Sequence, residues 1–505
     1  MSIKTKYIKN SFFNFIGWGW LIAINILTIP YIVNKIGYDQ YGIFVLVSMV
    51  LGYFAFLDFG LGDAVVKYVS HYYASRDYKK INCIVNAILF LFVLIGVAGG
   101  TSILFFTKYL AFRIFKIPVP LHDIAQQCFY LSALGFFLNL IFGVVSKIPE
   151  ALQHFDLSNK INMIIGTIVT LANLLFVYLG FSIRELVYVN LIGSVLGITS
   201  FGIMNKRIIP ELSINFSFSY KELKEILHFG LFTICTKFSS IMTSWMNQLV
   251  LSNLVGVSAV TLFNVPFKVI TRIQALLYSF AGIIFPLSSE LAANGDTEKL
   301  YRVYLRLARY IFMMSSILFL PLIVFSDKVL LYWMGKTFAS QTTYCMIMIC
   351  LTFYLIGQAT VPGLLSLGLG KPKYNAYFSF LTAILNILLV YPLTKKWGVN
   401  GAATALFLSS LQVPFAVYFT NKYVIKIGNA LYLQYVFMKF ILPGVLTLLV
   451  LVLLNKMMSS LLSFCVIATV SYLFVFFLFL STGLENEDKN MIIGKLKIMK
   501  FSQPS

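Results

Sequence analysis

An all-α, polytopic membrane protein is the fold class that this 505-residue sequence predicts. Three observations predict it. Apolar runs near the roughly 20 residues that a membrane helix needs recur from one end of the chain to the other. Only 11% of the residues are charged, against about 25% in soluble domains. Lys and Arg gather in alternate connecting segments, as the positive-inside rule demands. A bilayer offers no water to backbone N–H and C=O groups, so apolar runs of this length must be helices.

In chain order the runs predict about fourteen helices, over 11–33, 41–69, 84–106, 124–146, 161–180, 185–205, 229–252, 258–287, 304–325, 341–366, 374–393, 399–420, 434–454 and 460–481. The first starts at Ser11 and lacks a small-residue cleavage site, so it reads as a retained membrane helix and not a signal peptide. An even count puts both termini in the cytoplasm, in agreement with Lys4, Lys6 and Lys9 at one end and Lys489, Lys495, Lys497 and Lys500 at the other. The longest polar connection runs from Asn205 to about His228. Within it Ser219 and Glu222 have capping-box spacing, and Leu223, Ile226 and Leu227 share one face. This predicts a short amphipathic helix on the cytoplasmic surface.

That connection divides two similar halves. Residues 149–178 align without gaps on 362–391, with Pro149/Pro362, Lys160/Lys373, Asn162/Asn375, Asn173/Asn386 and Tyr178/Tyr391 identical. A second match pairs Asn34/Asn253, Gly37/Gly256 and Phe44/Phe263. Each repeat holds six helices, an even number, so both keep the same orientation. Repeats of this kind mark secondary transporters, with substrate bound between the halves. The predicted organisation is therefore 1–213 for the first lobe, 214–428 for the linker and second lobe, and 429–505 for two further helices and a basic cytoplasmic tail.

The net charge of +21 suggests nucleic acid, but its placement in alternate loops excludes that partner. The six cysteines form no CxxC pair and lie mostly in apolar runs, which argues against disulfide or metal use. No Walker loop, GxSxG, HExxH or dinucleotide fingerprint is present, so no enzyme chemistry, cofactor or metal is expected. The informative residues lie within the membrane. Lys237, Lys268 and Arg272 sit near the middle of apolar stretches. A charge at the bilayer centre costs roughly 2.5–3.5 kcal/mol on insertion scales, so cations there face a wet cavity or a bound anion.

The polar neighbours of these cations follow helical spacing. Asn14, Trp18 and Asn25 share a face of the first helix. Lys237, Ser240, Ser244 and Asn247 form a stripe on the seventh, near Trp245. Asn264, Lys268, Thr271 and Arg272 form one on the eighth. Polar faces on equivalent helices point to one central cavity, while interhelical hydrogen bonding serves Ser, Thr and Asn equally well. The second helix ends in Asp58-Phe-Gly-Leu-Gly-Asp63-Ala-Val-Val-Lys67. Asp63 and Lys67 are spaced for an i, i+4 ion pair. Asp58 lies deeper, and three roles stand open for it: pairing with a cavity cation, proton uptake during transport, or a structural cap at the cytoplasmic gate.

These residues carry a family resemblance. Pro30-Tyr31, Gly37-Tyr38-Asp39-Gln40-Tyr41-Gly42 and Asp58-Phe59-Gly60-Leu61-Gly62 resemble the start of Wzx-type polysaccharide flippases. Pro149-Glu150 to Gln153, then Asn159-Lys160, resemble their junction between the fourth and fifth helices. The similarity runs to about Gly428 and identifies the chain as similar to the multidrug/oligosaccharidyl-lipid/polysaccharide exporter superfamily. It implies two six-helix lobes in a V, with the two C-terminal helices resembling those of fourteen-helix relatives such as the lipid II flippase. It implies movement of a polyprenyl-diphosphate-linked oligosaccharide, of O-antigen, capsule or related type, across a bacterial inner membrane. Membrane lipid and glycan polymerase or ligase machinery are the implied partners. Lys237, Lys268 and Arg272 would hold the diphosphate, Trp18 and Trp245 would stack on sugars, and Asp58 would couple gating to H+, Na+ or the membrane potential. A drug or cation antiporter of the same superfamily is the alternative, but a cationic drug needs acidic cavity groups. A membrane enzyme needs a large external loop, and the longest one predicted spans only Lys108 to Asp123.

Overall fold

The computed structural model describes residues 19–20, 23–55, 61–152, 154–215, 242–243, 245–371 and 373–483. Among them the regular structure is helical: α1 (Ala23–Ile36), α2 (Tyr38–Ala55), α3 (Leu61–Ala74), α4 (Tyr78–Tyr109), α5 (His122–Ala151), α6 (Phe155–Tyr178), α7 (Ile183–Ile208), α8 (245–254), α9 (Val257–Ala281), α10 (Ile284–Ala293), α11 (Thr297–Val324), α12 (Ser326–Met334), α13 (Lys336–Gly368), α14 (Lys373–Ser410), α15 (Val413–Phe419), α16 (Asn429–Leu433), α17 (Lys439–Met457) and α18 (Leu461–Gly483). Ten of the described helical runs are long and apolar enough to cross a membrane, which makes this a multi-pass membrane protein. One of the ten, Lys373–Ile425, contains Gly398 at φ 57°, ψ −132°, outside helical geometry. Two of the predicted helices meet at that residue. The predicted total of fourteen goes beyond these ten runs.

The helices overrun the predicted apolar spans because hydropathy marks the hydrocarbon, whereas capping marks the helix. The run predicted over 84–106 begins at Tyr78, where the Asp77 carboxylate accepts the Lys80 backbone N–H at 3.1 Å. One predicted helix divides: 258–287 ends at Ala281, turns through Gly282, and restarts as α10. Pro286 falls in the first turn of α10, where a missing N–H breaks no helical bond. The amphipathic helix expected over 219–227 lies outside the described residues.

The chain forms two compact units, Met1–Val265 with Ile387–Ala402, and Pro266–Asn386 with Ala403–Ser505. In the first, α5 packs on α4 and α7. Lipid tails are as apolar as side chains, so close helix approach must come from shape. Gly96, Gly99 and Gly100 of α4 supply it: a Cβ at Gly96 or Gly99 would overlap the Phe137 or Phe136 ring of α5, and one at Gly100 would press on the Ala133 carbonyl. In the second unit, α11 packs on α13, α17 and α18. Its second half buries Met313 with Phe440, Leu451, Val475 and Phe479, so the C-terminal pair is part of that unit's core. At the other end the buried Tyr304 hydroxyl donates to Asn421 Oδ1 at 2.5 Å and its ring stacks on Tyr432.

Candidate functional site

The sequence-predicted cations that the structure describes lie on α9. Asn264, Lys268 and Arg272 are spaced at i, i+4 and i+8 and so form one row along the helix. Asn264 is buried, Lys268 half-buried and Arg272 exposed. The Thr271 hydroxyl turns back to the Phe267 and Lys268 carbonyls at 2.9 and 3.0 Å, so it is engaged within its own helix. Pro266 stands two residues before Lys268 and removes one N–H from the α9 ladder. No Asp or Glu occurs in α9. Like charges four residues apart destabilise a helix by roughly 0.2–0.5 kcal/mol even in water, so this row favours a negatively charged neighbour.

On α8, Trp245, Asn247 and Gln248 are buried, and the Asn247 amide donates to the Thr243 carbonyl at 2.7 Å. Asn264 Oδ1 and Gln248 Oε1 accept no hydrogen bond from the described residues. Of the remaining predicted residues, Asn25 is exposed on α1 and Lys67 is exposed on α3, its ammonium 4.9 Å from the Tyr68 ring centroid. Asp63 belongs to α3 by its backbone, but its side chain is outside the description. Asn14, Trp18, Asp58 and Lys237 also lie outside the described residues. Among the described residues, no group of three or more His, Cys, Asp or Glu could hold a metal ion.

A feature that sequence reasoning missed joins the two repeats within the first unit. The matched glycines Gly37 and Gly256 both take positive φ, 87° and 122°, in the turns that open α2 and α9. Counting from those glycines, Tyr38 corresponds to Val257 and Gly42 to Thr261. The structure pairs them crosswise. The buried Thr261 hydroxyl donates to the Tyr38 carbonyl at 2.6 Å. Gly42 lies against Val257, where a Cβ would overlap the Val257 carbonyl oxygen and sit 2.7 Å from its Cγ1. Crossed pairing of equivalent positions is what a two-fold relation produces. Nearby, the Asn253 amide donates to the Ile114 carbonyl at 3.1 Å, at the π-helical turn that ends α4. The matched Asn/Gly pairs were the sequence signal for this junction; their contact was not legible.

Arg309 was also not singled out from the sequence. It is 1% exposed on α11, with its guanidinium 4.5 Å from the Tyr435 ring centroid and Nη1 3.5 Å from the Gly483 carbonyl. Its position five residues inside a predicted span was the available signal.

A family model described as polysaccharide biosynthesis protein matches residues 8–292. A putative O-antigen transporter from Shigella flexneri is 22% identical over 404 residues, covering 78% of this chain and 93% of that protein. A probable low-salt glycan biosynthesis flippase, Agl15, from Haloferax volcanii is 22% identical over 423 residues, covering 81% of each. Among solved structures, the lipid II flippase MurJ in an inward closed conformation matches with a TM-score of 0.72 at 16% identity, over 94% of this chain and 98% of that one. An inward-facing multidrug resistance MATE transporter matches with a TM-score of 0.67 at 15% identity, over 81% and 96%. The chain belongs to the polysaccharide biosynthesis protein family, and its fold is that of the multidrug/oligosaccharidyl-lipid/polysaccharide exporter superfamily.

Proposed function

We propose that this protein flips a polyprenyl-diphosphate-linked oligosaccharide from the cytoplasmic to the outer leaflet of a bacterial inner membrane, with both termini in the cytoplasm. The observation that carries the reading is the α9 row of Asn264, Lys268 and Arg272 in a helix without acidic residues. A diphosphate supplies the negative charge that such a row favours, and the names of the O-antigen and glycan relatives supply the cargo class. The same argument disfavours a cationic drug, for which α9 itself supplies no carboxylate.

In this account Lys268, Arg272 and Lys237 hold the diphosphate by charge-assisted hydrogen bonds. Asn264, Asn247, Asn14 and Asn25 bond the first sugars, and Trp18 and Trp245 stack on them. The polyprenyl chain stays in lipid. Release on the outer side requires the Tyr38/Gly42–Val257/Thr261 junction to part, and Asp58 couples that opening to H+, Na+ or the membrane potential. The protein forms no covalent bond with its cargo, so it acts as a transporter and not an enzyme.

The test is the sidedness of lipid-linked glycan in cells lacking the gene. Lectin-accessible labelling should find the glycan trapped on the cytoplasmic face, and the intact gene should restore its exposure. Normal exposure without the gene overturns the proposal.

A further inference from the structure

The strongest polar construction outside the cation row is a pair of asparagines on α4. Asn82 and Asn86 are one helical turn apart, and both engage the backbone of the segment that follows α7. Asn82 Nδ2 donates to the Glu211 carbonyl at 2.8 Å, and Asn82 Oδ1 accepts the Ser213 N–H at 3.0 Å. Asn86 Nδ2 donates to the Ser213 carbonyl at 2.8 Å, and Asn86 Oδ1 accepts the Asn215 N–H at 2.9 Å. Lys206 Nζ adds a bond to the Leu212 carbonyl at 2.9 Å.

The geometry has a simple origin. Four residues of helix rise about 6 Å, and two residues of extended chain advance about 6.6 Å. Side-chain amides at i and i+4 can therefore bond alternate residues of an adjacent run of chain, here 211, 213 and 215. Each amide offers a donor and an acceptor, as a peptide group does, so the pair reads backbone and not side chains. Asn86 is fully buried, so its polar atoms lie beyond the reach of water and depend on protein partners.

We infer that Asn82 and Asn86 form a clamp that anchors the start of the inter-repeat connector to α4, and that transport requires this anchor. The segment 211–215 leads from the last helix of the first repeat toward the second. A connector fixed at its first residues gives the second repeat a defined point of attachment to the first. The transport clause rests on the flippase reading; the clamp itself does not.

The test uses the full-length protein in nanodiscs and in cells. Amide hydrogen exchange at Ser213 and Asn215 should be slow in the wild type. In the double variant Asn82→Ala/Asn86→Ala it should rise at least tenfold at those two amides, while α4 and α7 keep their protection. Glycan exposure should fall at least tenfold at equal membrane level. If the double variant does not accumulate, Asn82→Asp keeps the acceptor for Ser213 and replaces the donor to the Glu211 carbonyl with a repelling carboxylate oxygen. It should hold Ser213 protection while export falls by a smaller factor. Fast exchange at Ser213 and Asn215 in the wild type overturns the clamp. Freed amides with undiminished export overturn its role in transport. Normal export in the gene deletion overturns the flippase reading and the transport clause with it, and leaves the exchange result standing.

Discussion

Gly42→Ala is the smallest change that tests the junction between α2 and α9. The added Cβ would overlap the Val257 carbonyl oxygen and lie 2.7 Å from Val257 Cγ1 and 2.9 Å from its carbonyl carbon. Real Cβ atoms essentially never approach below 3.0 Å. The nearest atom is backbone, so no rotamer change relieves the overlap and the helices must separate. Overpacking of this kind costs about 1–3 kcal/mol. The cost falls only on the closed junction. Ala also favours the α2 helix over Gly by roughly 0.8–1.0 kcal/mol, but that gain is shared by open and closed states and cancels. The open junction should therefore gain about 5- to 150-fold in relative population. Val257, 1% exposed, is the reporter position. With Val257→Cys in an otherwise cysteine-free protein, the rate of maleimide labelling in membranes follows the open population. The carbonyl overlap persists in that background because it belongs to the backbone. Labelling should be at least fivefold faster with Gly42→Ala than with Gly42. Equal rates at equal protein level would refute the close approach, the mobility of the junction, or both.

Two further outcomes are expected. Thr261→Val removes the hydroxyl bond to the Tyr38 carbonyl, worth about 0.5–1.5 kcal/mol, and should speed the same labelling about two- to twelvefold, whereas Thr261→Ser should leave it near the wild-type rate. Arg309→Lys keeps the charge but loses the planar fork that reaches both the Tyr435 ring and the Gly483 carbonyl, so the unfolding free energy in detergent should drop by about 1 kcal/mol, read as a lower denaturant midpoint.

Much of the fold was legible because a bilayer removes choice: long apolar runs must be helices. The break near Gly398 was legible because a polar interval, Lys395-Lys396, precedes it. The division after Ala281 was not, since apolar residues continue through Ile283, Ile284 and Phe285 and hydropathy is blind to a turn. The row on α9 was legible from helical period alone, because 3.6-residue spacing puts positions 264, 268 and 272 on one face. Its gradient from buried to exposed was not, for burial depends on neighbours distant in sequence. The Gly37/Gly256 match carried a backbone reason, the shared positive φ, that the sequence displays only as identity. The crossed contact of Gly42 with Val257 depends on packing over more than two hundred residues. The clamp of Asn82 and Asn86 had no signature at its target, because amides that read backbone place no demand on the side chains of residues 211–215.

In the proposed mechanism, cations on α9 hold the cargo's phosphate. Arg272→Glu tests it most directly, measured as the fraction of lipid-linked glycan exposed on the outer face in a strain whose own copy is deleted. The account predicts that Arg272→Glu reaches wild-type levels in the membrane and leaves the glycan trapped inside, while Arg272→Lys retains part of the export. Export by the Arg272→Glu protein at the wild-type rate would contradict the account.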